Sequence, residues 1–277
     1  MKDIDVAAVV MRSVLGDVRR NLRRTAALAR RAAEQGADIA CFPEASLTGY
    51  HVRGDLAGIA QTIPGEVTDA VVGLAKELDM ALVVGVLERS GGAKAYVSQV
   101  AAGPEGILAI YRKTHLATRE CEAFQPGSET PVFSWRGTRF GMQLCYDGHF
   151  PELTTRLALL GAEVVLTPHA SPGPETRSEK RRRWMRYLPA RAYDSSVFVV
   201  ACNQTGDNGA GLCFPGVALI LDPKGTLLAG ATAARDRVVT TRLSGEALAR
   251  IKSSNTGFFL GSRRPELYHE STIEPGR

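Results

Sequence analysis

Cys145 stands in "GMQLCYDGHFPE" (141–152), where an apolar stretch runs into a thiol and then through Asp147-Gly148 to Pro151-Glu152. The pattern reads as strand, sharp turn, helix start. A side chain on such a corner projects out of the backbone, and the N–H groups that follow point the same way. The chemistry would be nucleophilic, unless Cys145 is an inert core residue, the usual fate of a free cysteine. A free thiol titrates near pH ~8.5, so a nucleophile needs a neighbour that takes its proton or stabilises its anion. His149, four residues on, is one such neighbour. A carboxylate whose pKa is raised by burial is another. Glu44 directly follows the apolar "ADIACFP" (37–43), which carries it to a buried strand end as a base or, on the plainer reading, as a helix cap. Lys113 leaves the apolar run "GILAIYRKTHL" (106–116), aimed at a developing oxyanion or simply closing a strand. Glu120, in the loop beyond, orients Lys113 or shares a proton with Glu44, unless it is a solvated acid.

These positions need elements to hold them. Strands are read at 6–11, 37–42, 81–88, 95–102, 106–113, 130–135, 140–145, 163–170, 197–203, 216–222 and 237–243. Helices are read at 17–35, where Val18, Leu22, Ala26, Ala29 and Ala33 recur before Gly36, and at 67–78, 151–160, 175–195 and 244–251. Strands occur both in βα alternation and in ββ pairs, which predicts mixed sheets covered by helices. "GADIACFPEAS" (36–46) and "GAEVVLTPHAS" (161–171) echo each other, with Glu44 opposite His169. Two equivalent strand ends facing one crevice are a natural place for a site.

Composition narrows the class. The chain has 277 residues, 44% hydrophobic and 6% aromatic, enough for a sizeable aliphatic core. Its net charge of +5 is too mild for a nucleic-acid signature. The run "RSEKRRRWMR" (177–186) reads as a solvated helix face or subunit contact, with Arg177 or a neighbour as a further option for holding a substrate carboxylate. Five scattered cysteines without a C-x-x-C suggest neither zinc nor a disulfide framework. The N-terminus is unlike a signal peptide and no apolar run approaches the ~20 residues of a bilayer span, so a reducing cytoplasm and no membrane are expected. No Pro/Gly/Ser-rich linker divides the chain. One domain over 1–260 is expected, followed by a polar tail, 261–277.

"CFPEASLTGY" around Glu44, "YRKTHL" with "E..AF.PG" around Lys113 and Glu120, and "LCYDGHFPE" around Cys145 resemble the nitrilase superfamily, the carbon–nitrogen hydrolases. "ARAYDSSVFVVACNQTG" (190–206) and "GVALILDPKGTLLA" (216–229) extend the likeness to nearly the whole chain. Gly148 and His149 stand where many members carry a large residue and Arg, which makes the chain look like the amidase-like branch. The resemblance implies an α-β-β-α sandwich of two mixed sheets, continued as αββα-αββα in a homodimer whose interface the tail joins. It implies that Glu44, Lys113 and Cys145 are catalytic, with Glu120 accessory and the Tyr146 N–H in the oxyanion site. Tyr50, His149, His169 and Asn203 are expected around the substrate. The implied reaction is hydrolysis of a small amide through a thioester with release of ammonia, and it requires neither metal nor organic cofactor. N-carbamoyl compounds and nitriles are alternative substrates for the same three groups, and a non-catalytic binding protein on this scaffold is the remaining alternative.

Overall fold

The computed structural model describes residues 1–268. Its strands are β1 (Ile4–Val10), β2 (Ile39–Cys41), β3 (Ala81–Glu88), β4 (Tyr96–Gly103), β5 (Gly106–Arg112), β6 (Val132–Trp135), β7 (Thr138–Met142), β8 (Val164–His169), β9 (Phe198–Asn203), β10 (Gly206–Asp207), β11 (Cys213–Phe214), β12 (Gly216–Leu221), β13 (Leu227–Ala233) and β14 (Arg237–Leu243). Its helices are α1 (Val18–Glu34), α2 (Leu56–Ile59), α3 (Glu66–Leu78), α4 (Glu120–Ala123), α5 (Pro151–Leu159), α6 (Arg177–Trp184), α7 (Leu188–Ser195) and α8 (Gly245–Lys252). Two mixed six-stranded sheets run in the orders β14-β1-β2-β3-β4-β5 and β13-β12-β9-β8-β7-β6. Each is parallel only at its centre, through β1–β2–β3 in one and β7–β8–β9 in the other.

Alternation along β1 shows how the layers are built. Ile4, Val6, Ala8 and Val10 face the second sheet and join a core shared with Phe140, Leu166 and Ile220. Ala7 and Val9 point the other way, to the undersides of α1 and α3. The outer face of the second sheet is covered in the same manner, with Val165, Val199 and Leu219 under Trp184, Leu188 and Ala192. Helices cover both outer faces, so β2, β3, β8 and β9 are buried along their whole length, as parallel strands require. The result is the α-β-β-α sandwich.

Several elements differ from the sequence reading, and the short α2, α4, β10 and β11 were not among those expected. The helix expected at 175–195 is two helices, α6 and α7, because Pro189 fits only in a first helical turn and forces a new start after Met185–Tyr187. The strand expected to reach Cys145 ends at Met142; Gln143 still pairs through its N–H with Leu166, and the chain then turns. An edge strand, β13, went unread because "LLAGATA" is short of the β-branched and aromatic residues that mark strands. Of the tail expected over 261–277, residues 269–277, His269 among them, lie outside the described residues, and those before form short turns at Phe259–Ser262 and Pro265–Leu267.

Candidate active site

Glu44 lies just past β2, on a segment tied down along its length. Phe42 and Leu47 donate backbone bonds to Val83 and Gly85, and the Ser46 hydroxyl accepts from the Gly85 N–H at 2.9 Å. Gln204 Nε2 donates to the Glu44 carbonyl at 2.8 Å. Ala45, next in line, takes a left-handed conformation with φ of 51°, which costs a non-glycine residue energy and is kept only where surrounding bonds enforce it. The Glu44 side chain is completely buried. One of its oxygens accepts from Lys113 Nζ at 2.8 Å and the other from the Ala170 N–H at 2.7 Å. Ala170 directly follows β8, so the two echoing segments of the sequence do meet, one strand end against the other.

Lys113 leaves β5 and is held between two acids, donating also to Glu120 Oε1 at 2.7 Å. The same oxygen accepts from the Tyr50 hydroxyl at 2.8 Å, and Glu120 Oε2 accepts from the Ala117 N–H at 2.8 Å. Glu120 is therefore a buried orienting partner of the lysine, not a solvated acid. Burial acts most strongly on Lys113, against its charge. The Glu44 and Glu120 charges act the other way, and the ammonium is held well above the ordinary lysine range. Burial raises the Glu44 pKa, with Lys113 opposing.

Cys145 opens a short 3-10 turn, Cys145–His149, and sits at φ of 45°. That left-handed backbone is the strained elbow that turns a side chain out of a strand end. It is partly exposed, to a cavity of about 200 Å³ that also takes in Lys113, Glu120, Tyr50 and Tyr146. Burial and the Glu44 charge push its thiol up to about 12, with Lys113 acting the other way. The thiol is therefore protonated at rest.

The rest of the wall divides the expected residues. His169 is 1% exposed and lines the cavity, edge-on to Trp184, with its Nε2 3.5 Å from the Tyr187 hydroxyl. Burial first, then Lys180 and Lys113, push its pKa well down, so its ring is neutral. His149 is at the rim, beside Tyr187 and Tyr146. No hydrogen bond joins it to Cys145 among the described residues. Asn203 is not brought to the cavity: its amide is used up on the Ser171 N–H, the Ser171 carbonyl and the Pro215 carbonyl, at 2.9, 3.1 and 3.0 Å. It braces the loop that forms one wall. Arg177 is exposed and faces a separate cleft.

Sequence reasoning missed part of the wall. Arg183, Trp184 and Tyr187 line the cavity, and Lys180 lies behind it, completely buried, with its Nζ 2.9 Å from the Ser171 hydroxyl and 2.7 Å from Glu175. A signal was present. Positions 180, 183 and 184 share one face of α6, and the tryptophan on that face marks it as the buried one.

A buried acid–lysine–acid cluster beside a thiol on a strained elbow, between two six-stranded sheets, defines a class of hydrolase. Residues 5–252 match the family model of the carbon–nitrogen hydrolases, and the chain belongs to that family. It is a carbon–nitrogen hydrolase of the amidase and nitrilase type. An (R)-stereoselective amidase of a Pseudomonas species is 34% identical over 262 residues, which cover 94% of this chain and 91% of that protein. A nitrilase of Pyrococcus abyssi is 31% identical, covering 96% of this chain and 99% of that one. Among solved structures, the amidase of Nesterenkonia sp. AN1 superposes with a TM-score of 0.82 at 28% identity, covering 96% of this chain and 98% of its own. Variants of that amidase have been solved with acrylamide and with butyramide, and others carry the acetamide moiety of fluoroacetamide on the active-site cysteine.

Proposed function

We propose that this protein hydrolyses small amides through a thioester on Cys145, releasing ammonia. The observation that carries the reading is the buried Glu44–Lys113–Glu120 cluster, joined by bonds of 2.8 and 2.7 Å, whose Lys113 and Glu120 line the cavity to which Cys145 opens. Because the thiol holds its proton at rest, attack on the amide carbon requires a base in the same step, and Glu44 takes that proton. Negative charge grows on the carbonyl oxygen, where Lys113 and the Tyr146 N–H stabilise it. Losing such a donor costs ~3 kcal/mol, about 100-fold in rate. Protonated Glu44 then gives its proton to the departing nitrogen, and the C–N bond breaks to leave an acyl-thioester and ammonia. Water enters, Glu44 accepts its proton as the oxygen adds to the acyl carbon, and the C–S bond breaks to give the acid. The proton on Glu44 returns to the thiolate.

The cavity of about 200 Å³ suits a short acyl chain. Arg183 on its wall favours a second reading of the substrate, an amide or N-carbamoyl compound with a distal carboxylate. Ammonia release measured across short aliphatic amides, dicarboxylic acid monoamides, N-carbamoyl amino acids and nitriles tests both. Turnover of short amides is expected; turnover of nitriles alone would remove the amidase reading. On the carboxylate reading, Arg183→Ala raises KM for the carboxylated amides at least tenfold over its effect on butyramide.

A further inference from the structure

Asp147 is completely buried two residues past Cys145, and the proposed reaction gives it no step. We infer that it is a positioning residue that fixes the nucleophile elbow against the lysine strand, so that Cys145 and Lys113 keep one mutual geometry. This rests on the reading of Cys145 and Lys113 given above. Oδ2 accepts from the Leu144 N–H at 2.8 Å, one residue before the thiol, and from the Tyr111 hydroxyl at 2.7 Å, two residues before the lysine. Oδ1 accepts from the His115 N–H at 2.8 Å and the Thr114 hydroxyl at 3.1 Å, and lies 3.0 Å from His115 Nδ1. A single carboxylate thus gathers donors from both sides of Lys113 and from the residue preceding Cys145.

The two segments belong to different sheets, β5 to one and β7 to the other. Asp147 is a direct hydrogen-bonded joint between them near the site. It also accounts for the left-handed backbone at Cys145: with Leu144 and Asp147 both tied down, the residue next to Leu144 has to turn outward. Each Asp147 oxygen meets a backbone N–H, Leu144 at one and His115 at the other, so both must accept. An asparagine would turn its NH₂ toward one of the two donor sets. Displacement of a nucleophile by about 1 Å costs on the order of 100-fold in rate, and it acts on the chemical step rather than on substrate binding.

Asp147→Asn tests this against a purely structural role, with Ser98→Ala as the control, since that change removes a buried hydrogen bond from β4 to Glu88 in β3, away from the cavity. Measured per active site with butyramide, Asp147→Asn is expected to lose kcat about 100-fold with KM within threefold. Ser98→Ala lowers the melting temperature and leaves kcat within threefold. A folded Asp147→Asn protein with kcat within threefold of the parent overturns the proposal. If Asp147→Asn does not fold, Thr114→Val combined with His115→Ala removes the Thr114 and His115 side-chain contacts on the lysine side and leaves the carboxylate and its bond from Tyr111 in place. A kcat loss of about tenfold at constant KM is then expected, and a loss under twofold overturns the proposal. Should the parent protein turn over none of the substrates in the panel, the proposed function has failed, and alkylation of Cys145 by iodoacetamide still reads the elbow. There a rate in Asp147→Asn within twofold of the parent's overturns the inference.

Discussion

At neutral pH the Cys145 thiol keeps its proton, because burial and the Glu44 charge push its pKa to about 12. A base is then not an accessory but a condition for attack. Glu44→Gln is expected to lower kcat/KM of amide hydrolysis by at least 1000-fold, within the range a positioned general base supplies. His149→Ala should cost less than tenfold, since His149 has no bond to the thiol; the reverse ranking in a steady-state comparison would make histidine the base. The Glu44 pKa is raised by burial, and a base must be deprotonated to act. The acid limb of kcat/KM therefore lies above the ordinary carboxylate value of ~4.3, and activity is lost as pH falls through it. A profile flat down to pH ~4 would contradict this. Glu44, Lys113 and Cys145 were legible because each ends an apolar run, and a polar side chain there has few places to go but a shared crevice. Asp147 was not, because an Asp in a turn looks the same in sequence whether it caps a helix, faces water or collects four donors.

At the scale of elements, Gly85 in β3 has a role its sequence context hides. A Cβ there would overlap the backbone nitrogen of Ala45 and lie 2.7 Å from the carbonyl carbon of Glu44. The strand is a bed on which the segment carrying Glu44 rests. Gly85→Ala should destabilise the fold by ~1–3 kcal/mol, as overpacking does, and lower kcat with the fold retained; thermal melting and kinetics on one preparation check both. Strands buried on both faces were readable as continuous apolar runs, such as β3 and β9. The break between α6 and α7 was not, because the charge on both sides of it suggested one solvated helix, although Pro189 marked the restart. The same charge hid Lys180 and Arg183: a helical face carrying cations is read as wet, and here the tryptophan beside them decides otherwise.

Across the whole molecule, the two sheets repeat one plan, and the 36–46 and 161–171 echo is its trace in sequence. Each half contributes a strand end to the site, Glu44 from one and Ala170 from the other, at 2.7 Å. Among the described residues, the outer helical layer of the second sheet leaves apolar side chains uncovered. Leu159 and Leu160 at the end of α5, Tyr193 on α7 and Phe259 beyond α8 are exposed at 55, 42, 48 and 39%. Large exposed apolar patches mark contacts with another chain, and we propose that this chain pairs as a homodimer through this face. Light scattering should give twice the chain mass, and Leu159→Asp with Tyr193→Asp should halve it; a monomeric parent at micromolar concentration would contradict the expectation.

In the proposed reaction Cys145 carries the acyl group between amide and acid. Butyramide turnover stopped by rapid acid quench, followed by mass spectrometry of the peptide holding Cys145, tests it most directly. We predict a butyryl adduct on Cys145, equal to the amide less ammonia, absent from Cys145→Ala and formed slowly in Glu44→Gln. Turnover at full rate with Cys145 unmodified, or with the adduct on another residue, would contradict the claim.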